Sequence, residues 1–153
     1  MLTKKTKYAL KALLNLAESY GKGPILISEI AEKENIPKKF LELILLELKN
    51  SGILQSKKGK HGGYMLGRSP GLITFGQVIR LLDGPLAPLP CVSQTAYHKC
   101  DECVDEHACG IRVVMKDVRD ATAQILDATT LEDALHRVEI LSQDEKAALM
   151  YFI

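Results

Sequence analysis

The feature that most limits what this chain can fold into is a change of hydrophobic period at Gly52. Before it, apolar residues recur at helical spacing. In "TKYALKALLNLAESYG", Ala9, Leu13, Leu16, Ala17 and Tyr20 fall on one stripe. Gly21 and Gly23-Pro24 end that segment. Ser28 is placed to N-cap "EIAEKEN", with Glu29 and Glu32 in its first turns. Pro37 suits the first turn of "PKKFLELILLELKNSG", where Phe40, Leu41, Ile44, Leu45 and Leu48 make a wide apolar face that Gly52 closes. After Gly52 the period changes. "ILQSKKGKHGGYMLG" reads as strand, glycine-rich tip, strand.

Helix, helix, helix and basic hairpin in that order make a winged helix-turn-helix. The third helix would then enter a major groove, leading with its N-terminal residues. Those residues are Lys38, Lys39 and, one turn on, Glu42. Lysine reaches phosphate or guanine, and a carboxylate accepts from cytosine N4. The hairpin tip holds Lys57, Lys58, Gly59, Lys60 and His61, which suits a wing lying along a phosphate backbone. A single histidine there reads as a polar contact, not as a metal ligand. Charge follows the same division. Residues 1–70 carry 13 Lys/Arg and 6 Asp/Glu, and residues 71–153 carry 7 and 13, so a +7 half precedes a −6 half. The basic half favours a polyanionic partner, because neutralising phosphates releases counterions.

The second half opens with "ITFGQVIRLLDG", a short amphipathic helix that closes the winged domain. "GPLAPLP" at residues 84–90 is a proline-broken connector. Further on, Ile111, Val114, Val118, Ala121 and Ile125 make one seam along "GIRVVMKDVRDATAQILDAT". A long helix with a single apolar seam in so small a protein needs a partner surface, and a second copy supplies one. The tail "SQDEKAALMYFI" reads as a last short helix with apolar residues at its end.

All four cysteines lie between these parts, as Cys91, Cys100, Cys103 and Cys109, with the spacing C-x8-C-x2-C-x5-C. The chain has no signal-peptide pattern and no apolar run of membrane-spanning length, so a cytoplasmic location is expected. Thiols stay reduced there, and clustering then points to metal or redox chemistry. Structural zinc usually takes paired C-x2-C knuckles, and only Cys100 and Cys103 form one. The same pair could serve as a redox dithiol. An iron–sulfur cluster accepts uneven spacing from an irregular loop. Spacing alone leaves iron–sulfur, zinc and redox thiols open. An iron–sulfur electron carrier would explain the cysteines but not the basic wing. No nucleophile, base and orienting group converge at a recognisable spacing, so an enzyme is not expected.

The segments "TKYALKALLNLA", "ISEIAEKENIPKKFLELILLELKNSGILQSKKGKHGGYML", "ITFGQVIRLLDG", "CGIRVVMKDVRDA" and "TLEDAL" resemble the bacterial winged-helix transcription regulators of the IscR/NsrR/CymR family. The most specific of these is "SGILQSKKGKHGGYML", and the resemblance covers nearly the whole chain. It implies a mainly α fold with a small β-hairpin wing and a long dimerisation helix. It also implies a homodimer, palindromic operator DNA, and control by a ligand or cluster. Members that carry cysteines hold an iron–sulfur cluster, 2Fe-2S or 4Fe-4S, in the loop before the dimerisation helix, and others use other signals. The family's three cysteines map to Cys91, Cys103 and Cys109, the first across a lengthened loop, and Cys100 is extra. Arg112 replaces the IscR-type histidine after the last cysteine, and Lys7 falls where NsrR-type members carry a carboxylate. Cys100 is then the nearest fourth ligand, ahead of His98 and His107. The expected division is a DNA-binding domain over 1–83, a connector and cluster loop over 84–110, and a dimerisation helix and tail over 111–153, with the homodimer formed through 111–127.

Overall fold

The structure, a computed structural model, describes residues 2–150, the side chains of residues 148 and 149 excepted. It contains helices α1 (Lys4–Glu18), α2 (Ile27–Glu34), α3 (Lys38–Asn50), α4 (Phe75–Asp83), α5 (Gly110–Ala128) and α6 (Leu131–Met150). Strands β1 (Leu54–Lys57) and β2 (Gly63–Leu66) form one antiparallel hairpin in the register Leu54↔Leu66 to Lys57↔Gly63. Short 3-10 turns occupy Pro70–Leu72 and Pro90–Val92. Among the described residues no helix is long and apolar enough to cross a membrane.

Local chemistry explains most of these limits. Thr3 caps α1 by accepting from the Thr6 amide at 3.2 Å, and its hydroxyl donates to Asp83 at 2.6 Å, tying the start of α1 to the end of α4. Gly52, at φ +81°, ends α3 in a Schellman motif. The Ile53 amide donates to Leu48 O and the Gly52 amide to Lys49 O, and Ile53 and Leu48 are both buried. Thr74 and Gln77 form a capping box at α4. The core gathers Leu13 and Leu16 of α1, Ile30 of α2, Leu41, Ile44, Leu45 and Leu48 of α3, and Val78 of α4.

Four expectations need correction. Tyr20 does not join the α1 stripe: the helix stops at Glu18, the Tyr20 amide turns back to Ala17 O, and its ring is exposed. Ser28 does not cap α2. Ile25 and Tyr64 exchange two backbone hydrogen bonds of 2.8 Å, which fixes the chain up to residue 25. The helix then starts at once, Leu26 is its N-cap with no side-chain bond, and exposed Ser28 lies in its first turn. Likewise Pro37 is the N-cap of α3, one residue before its first turn. The tail is not a separate short helix either. Residues 142–150 continue α6, and residues 151–153 lie outside the described residues.

Helix α6 begins with a reciprocal cap. The Asp133 amide donates to Thr130 Oγ1 at 3.1 Å, and the Thr130 amide donates to Asp133 Oδ2 at 2.9 Å. Those bonds from Thr130 hold the Asp133 carboxyl below its usual pKa. Thr74 and Thr130 make an isolated bridge, and Leu131 is fully buried in the core of the winged domain. The first turn of α6 therefore returns to the domain that precedes α5.

The Ile25–Tyr64 pairing also explains a glycine. Gly63 sits at φ +146°, and a Cβ there would lie 2.2 Å from Ile25 O. Gly63→Ala is expected to lower stability by about 2 kcal/mol or more, since backbone strain and a backbone clash add. Urea denaturation of the variant checks this, and an unchanged midpoint would remove the close approach from the explanation of the wing.

Candidate nucleic-acid interface and cysteine loop

Helix α3 packs through Leu41, Ile44, Leu45 and Leu48, which leaves Lys38, Lys39 and Glu42 exposed on its other side. The hairpin register puts Lys57 at the end of β1, next to the tip. One open concavity is lined by Ser28, Lys38, Glu42, Lys57 and Lys58, together with Leu26, Lys49, Ser56 and Tyr64. Five expected contact residues from α2, α3 and the wing thus share a surface. Pro37, Lys39, Gly59, Lys60 and His61 are exposed but lie outside its lining. Sequence reading missed Lys49, although it follows Glu42 by two helical turns.

The electrostatics are uncompensated. Lys5, Lys11 and Lys33 pair with Glu47, Glu34 and Glu18. Among the described residues, none of Lys38, Lys39, Lys49, Lys57, Lys58 and Lys60 is in an ion pair. Positive charge without an internal partner is available to phosphate, and Glu42 is the one carboxylate in the lining.

The cysteine loop is built differently. Cys91 is buried in the Pro90–Val92 turn. Cys100 and Cys103 are half-buried and joined by a turn in which the Cys103 amide donates to Cys100 O at 3.1 Å. Cys109 is the N-cap of α5, and its Sγ accepts from the Arg112 amide at 3.5 Å. Hydrogen bonding to the Cys91 thiol, then burial, then the negative potential of Cys91, Cys103 and Glu102, hold the Cys100 thiol above its ordinary pKa. His98 and His107 are exposed; His98 Nδ1 bonds Lys99 O and the His107 amide bonds Asp105.

Two arginines of α5 fasten this loop. Arg112 Nε donates to Cys91 O at 3.3 Å, and Arg119 Nη1 donates to Val92 O at 2.5 Å. They stand two helical turns apart on one face and take consecutive carbonyls of the cysteine-bearing turn. Glu106 lies 3.9 Å from Arg112 and accepts from the Tyr97 hydroxyl at 2.7 Å, which ties in the rest of the loop. Arg112, noted in the sequence only as the replacement of a ligand, is a structural clasp.

In kind, the donors suit an iron–sulfur cluster or zinc, since all four are soft thiols. They are not gathered as a metal site: among the described residues no three His, Cys, Asp or Glu side chains are placed to hold an ion. Cys109 is engaged at a helix terminus, where its Sγ accepts from the Arg112 amide.

Helix α5 holds no buried residue. Its seam is open along its length, from Val118 at 45% exposure to Ile111 at 67%, with Val114 and Ile125 between those values. The helix touches α4 and the Pro90–Val92 turn, and Val118 borders a groove against Ile79 and Asp83 of α4.

Comparison with known proteins agrees with this geometry. A family model described as Rrf2, iron-dependent transcriptional regulator, matches residues 2–137. An HTH-type transcriptional regulator of Rhodobacter capsulatus, described as rrf2-like, is 46% identical over 138 residues, covering 88% of this chain and 92% of the relative. The solved structure of CymR, the global cysteine regulator of B. subtilis, superposes with a TM-score of 0.74 at 34% identity, covering 88% of this chain and 95% of that one. The structure of T. potens IscR superposes with a TM-score of 0.71 at 30% identity, covering 90% and 88%.

Proposed function

The chain belongs to the Rrf2 family of DNA-binding transcription regulators, and we propose that its cysteine loop receives the signal that sets its affinity for DNA. In this reading the resident group is an iron–sulfur cluster, 2Fe-2S or 4Fe-4S, held by Cys91, Cys103 and Cys109 with Cys100 as fourth ligand. The observation that carries it is the fastening of the Cys91–Val92 turn to α5 by Arg112 and Arg119. Four soft donors in one loop and a family described as iron-dependent support it. A bound cluster would supply a centre sensitive to oxidation, nitric oxide or iron supply.

The chain's own residues do the rest. Lys38, Lys39, Lys57, Lys58 and Lys60 neutralise phosphates, and Glu42 accepts from cytosine N4. Ser28, Pro37, Gly59 and His61 border the same contact. Two copies meet through the 111–127 seam in the cytoplasm, and a two-fold protein reads a palindromic operator. Labour divides as 1–83 for DNA, 84–110 for the signal and 111–153 for pairing. Because Arg112 and Arg119 bind backbone carbonyls, any rearrangement of the turn pulls on α5 and shifts the spacing of the two reading heads.

A second reading keeps the regulator and drops the cluster. The nearness of Cys91 to Cys100, which helps hold the Cys100 thiol above its ordinary pKa, favours it: an oxidant would take two electrons, two protons would leave, and one S–S bond would form between them. Zinc on the same thiols is a variant of this alternative. An electron carrier leaves the basic concavity without a task.

The DNA contacts have a direct test. Affinity for a duplex selected from a random pool is expected to fall steeply with salt. Lys58→Ala with Lys60→Ala is expected to weaken all sequences alike and to lower the salt slope by about 0.9 for each phosphate that is no longer neutralised. A slope and affinity equal to wild type would remove the wing from the interface.

A further inference from the structure

Helix α3 has two apolar faces, and the core of the winged domain takes only one. Leu41, Ile44, Leu45 and Leu48 are buried, yet Leu43 is 65% exposed and Leu46 is 48% exposed. Lys39, Leu43, Leu46 and Asn50 follow the i, i+4, i+7, i+11 spacing of one helical stripe, and all four are exposed. Glu42 and Lys49 adjoin this stripe and line the basic concavity. The core face turns the stripe away from the protein, so it becomes the ridge of the helix that a major groove would receive.

Two leucines on such a ridge are not helped by water, and phosphates do not suit them. One group in the major groove does: the C5 methyl of thymine, which marks an A·T pair and its orientation. Unpaired Lys39 at the head of the stripe, and unpaired Lys38, Lys49, Lys57 and Lys58 in the concavity along one flank of it, complement the phosphates that border that groove, and this is why DNA is the occupant favoured here. We infer that Leu43, with Leu46 beside it, reads thymine methyl groups in the operator and so determines part of its sequence specificity. The inference rests on the DNA-binding reading but adds residues and a base class to it.

The probe is thymine replaced by uracil, which removes the methyl and keeps every base-pair hydrogen bond. A duplex selected by the full-length protein is synthesised with each thymine replaced in turn. For wild type, at least one replacement in each half-site is expected to weaken binding about fourfold, the value of one methyl taken from water. Leu43→Ala is expected to bind the thymine duplex about fourfold or more weakly, and to lose its sensitivity to uracil at that position. Circular dichroism and thermal melting of the variant are expected to match wild type, because Leu43 makes no core contact. Tight, selective binding with no thymine sensitivity anywhere in the half-site would overturn the inference and leave the DNA reading intact. Failure to bind any duplex would instead sink the DNA reading itself. Equal uracil sensitivity in wild type and in both Leu43→Ala and Leu46→Ala would assign the methyl contact elsewhere and overturn the inference too.

Discussion

Replacing Val118 with aspartate is expected to turn a dimer into a monomer and to weaken operator binding by about 100-fold or more. Val118 lies midway along α5, a 19-residue helix without a buried side chain in the single chain. Ile111, Val114, Ala121 and Ile125 continue its seam, and burying such side chains yields about 1.5–3 kcal/mol each for the larger ones. In a two-fold interface each substitution occurs twice. A carboxylate placed there must lose its water without gaining a partner, which costs several kcal/mol per ion. Once the dimer separates, the second half-site no longer benefits from a tethered reading head, and avidity of about 10²–10⁴ disappears. Sedimentation equilibrium and titration of a selected duplex read both effects. A dimeric Val118→Asp protein with unchanged affinity would place the pairing surface elsewhere.

The second large effect separates the two readings of the cysteine loop. With a cluster on the loop, Cys91→Ala, Cys103→Ala and Cys109→Ala are each expected to abolish the uptake of iron and sulfide. A thiolate in a partly buried site has no substitute in water. Cys100→Ala is expected to be milder if exposed His98 or His107 takes the vacated place, and equally severe if the site is all-cysteine. With a Cys91–Cys100 disulfide instead, only Cys91→Ala and Cys100→Ala abolish the response to oxidant, since Cys91 is the neighbour that acts most strongly on the Cys100 thiol. Cys103→Ala and Cys109→Ala then keep it. Anaerobic reconstitution of the four single variants, followed by visible absorbance and iron and sulfide analysis, tells these patterns apart. Tightly bound zinc in wild type, with no sulfide uptake, would favour the zinc variant.

Much of the winged domain was legible because each signal there is local. Gly52 does end α3, the alternation after it does pair as a hairpin, and the apolar residues of α3 do form its core face. The seam of α5 was legible for the same reason, since periodicity survives without a partner. The errors came where distant parts of the chain decide. Ser28 looks like a cap until Tyr64, far along the sequence, fixes Ile25. Leu131 stands in a segment that drew no structural reading of its own, yet its amide bonds to Ile73 O and its side chain enters the core. Thr130 and Asp133 carried a local capping signal that would have marked the helix start. The thiol loop was the least legible part. Uneven cysteine spacing limits the donor chemistry but says nothing about which carbonyls the arginines of α5 will take.

If the state of the cysteine loop sets DNA affinity through α5, two states of one preparation must differ in their affinity for the same duplex. The most direct measurement takes one anaerobic preparation, with its iron and sulfide determined, and titrates a selected duplex. The same protein is then stripped of metal or exposed to oxidant and titrated again. Wild type is expected to differ by about tenfold or more between states, within the usual range of coupling. Cys91→Ala is expected to show one affinity under all conditions, and Arg112→Gln with Arg119→Gln is expected to keep any cluster or disulfide while losing most of the difference. Equal affinities for wild type in every state of the loop would contradict that coupling.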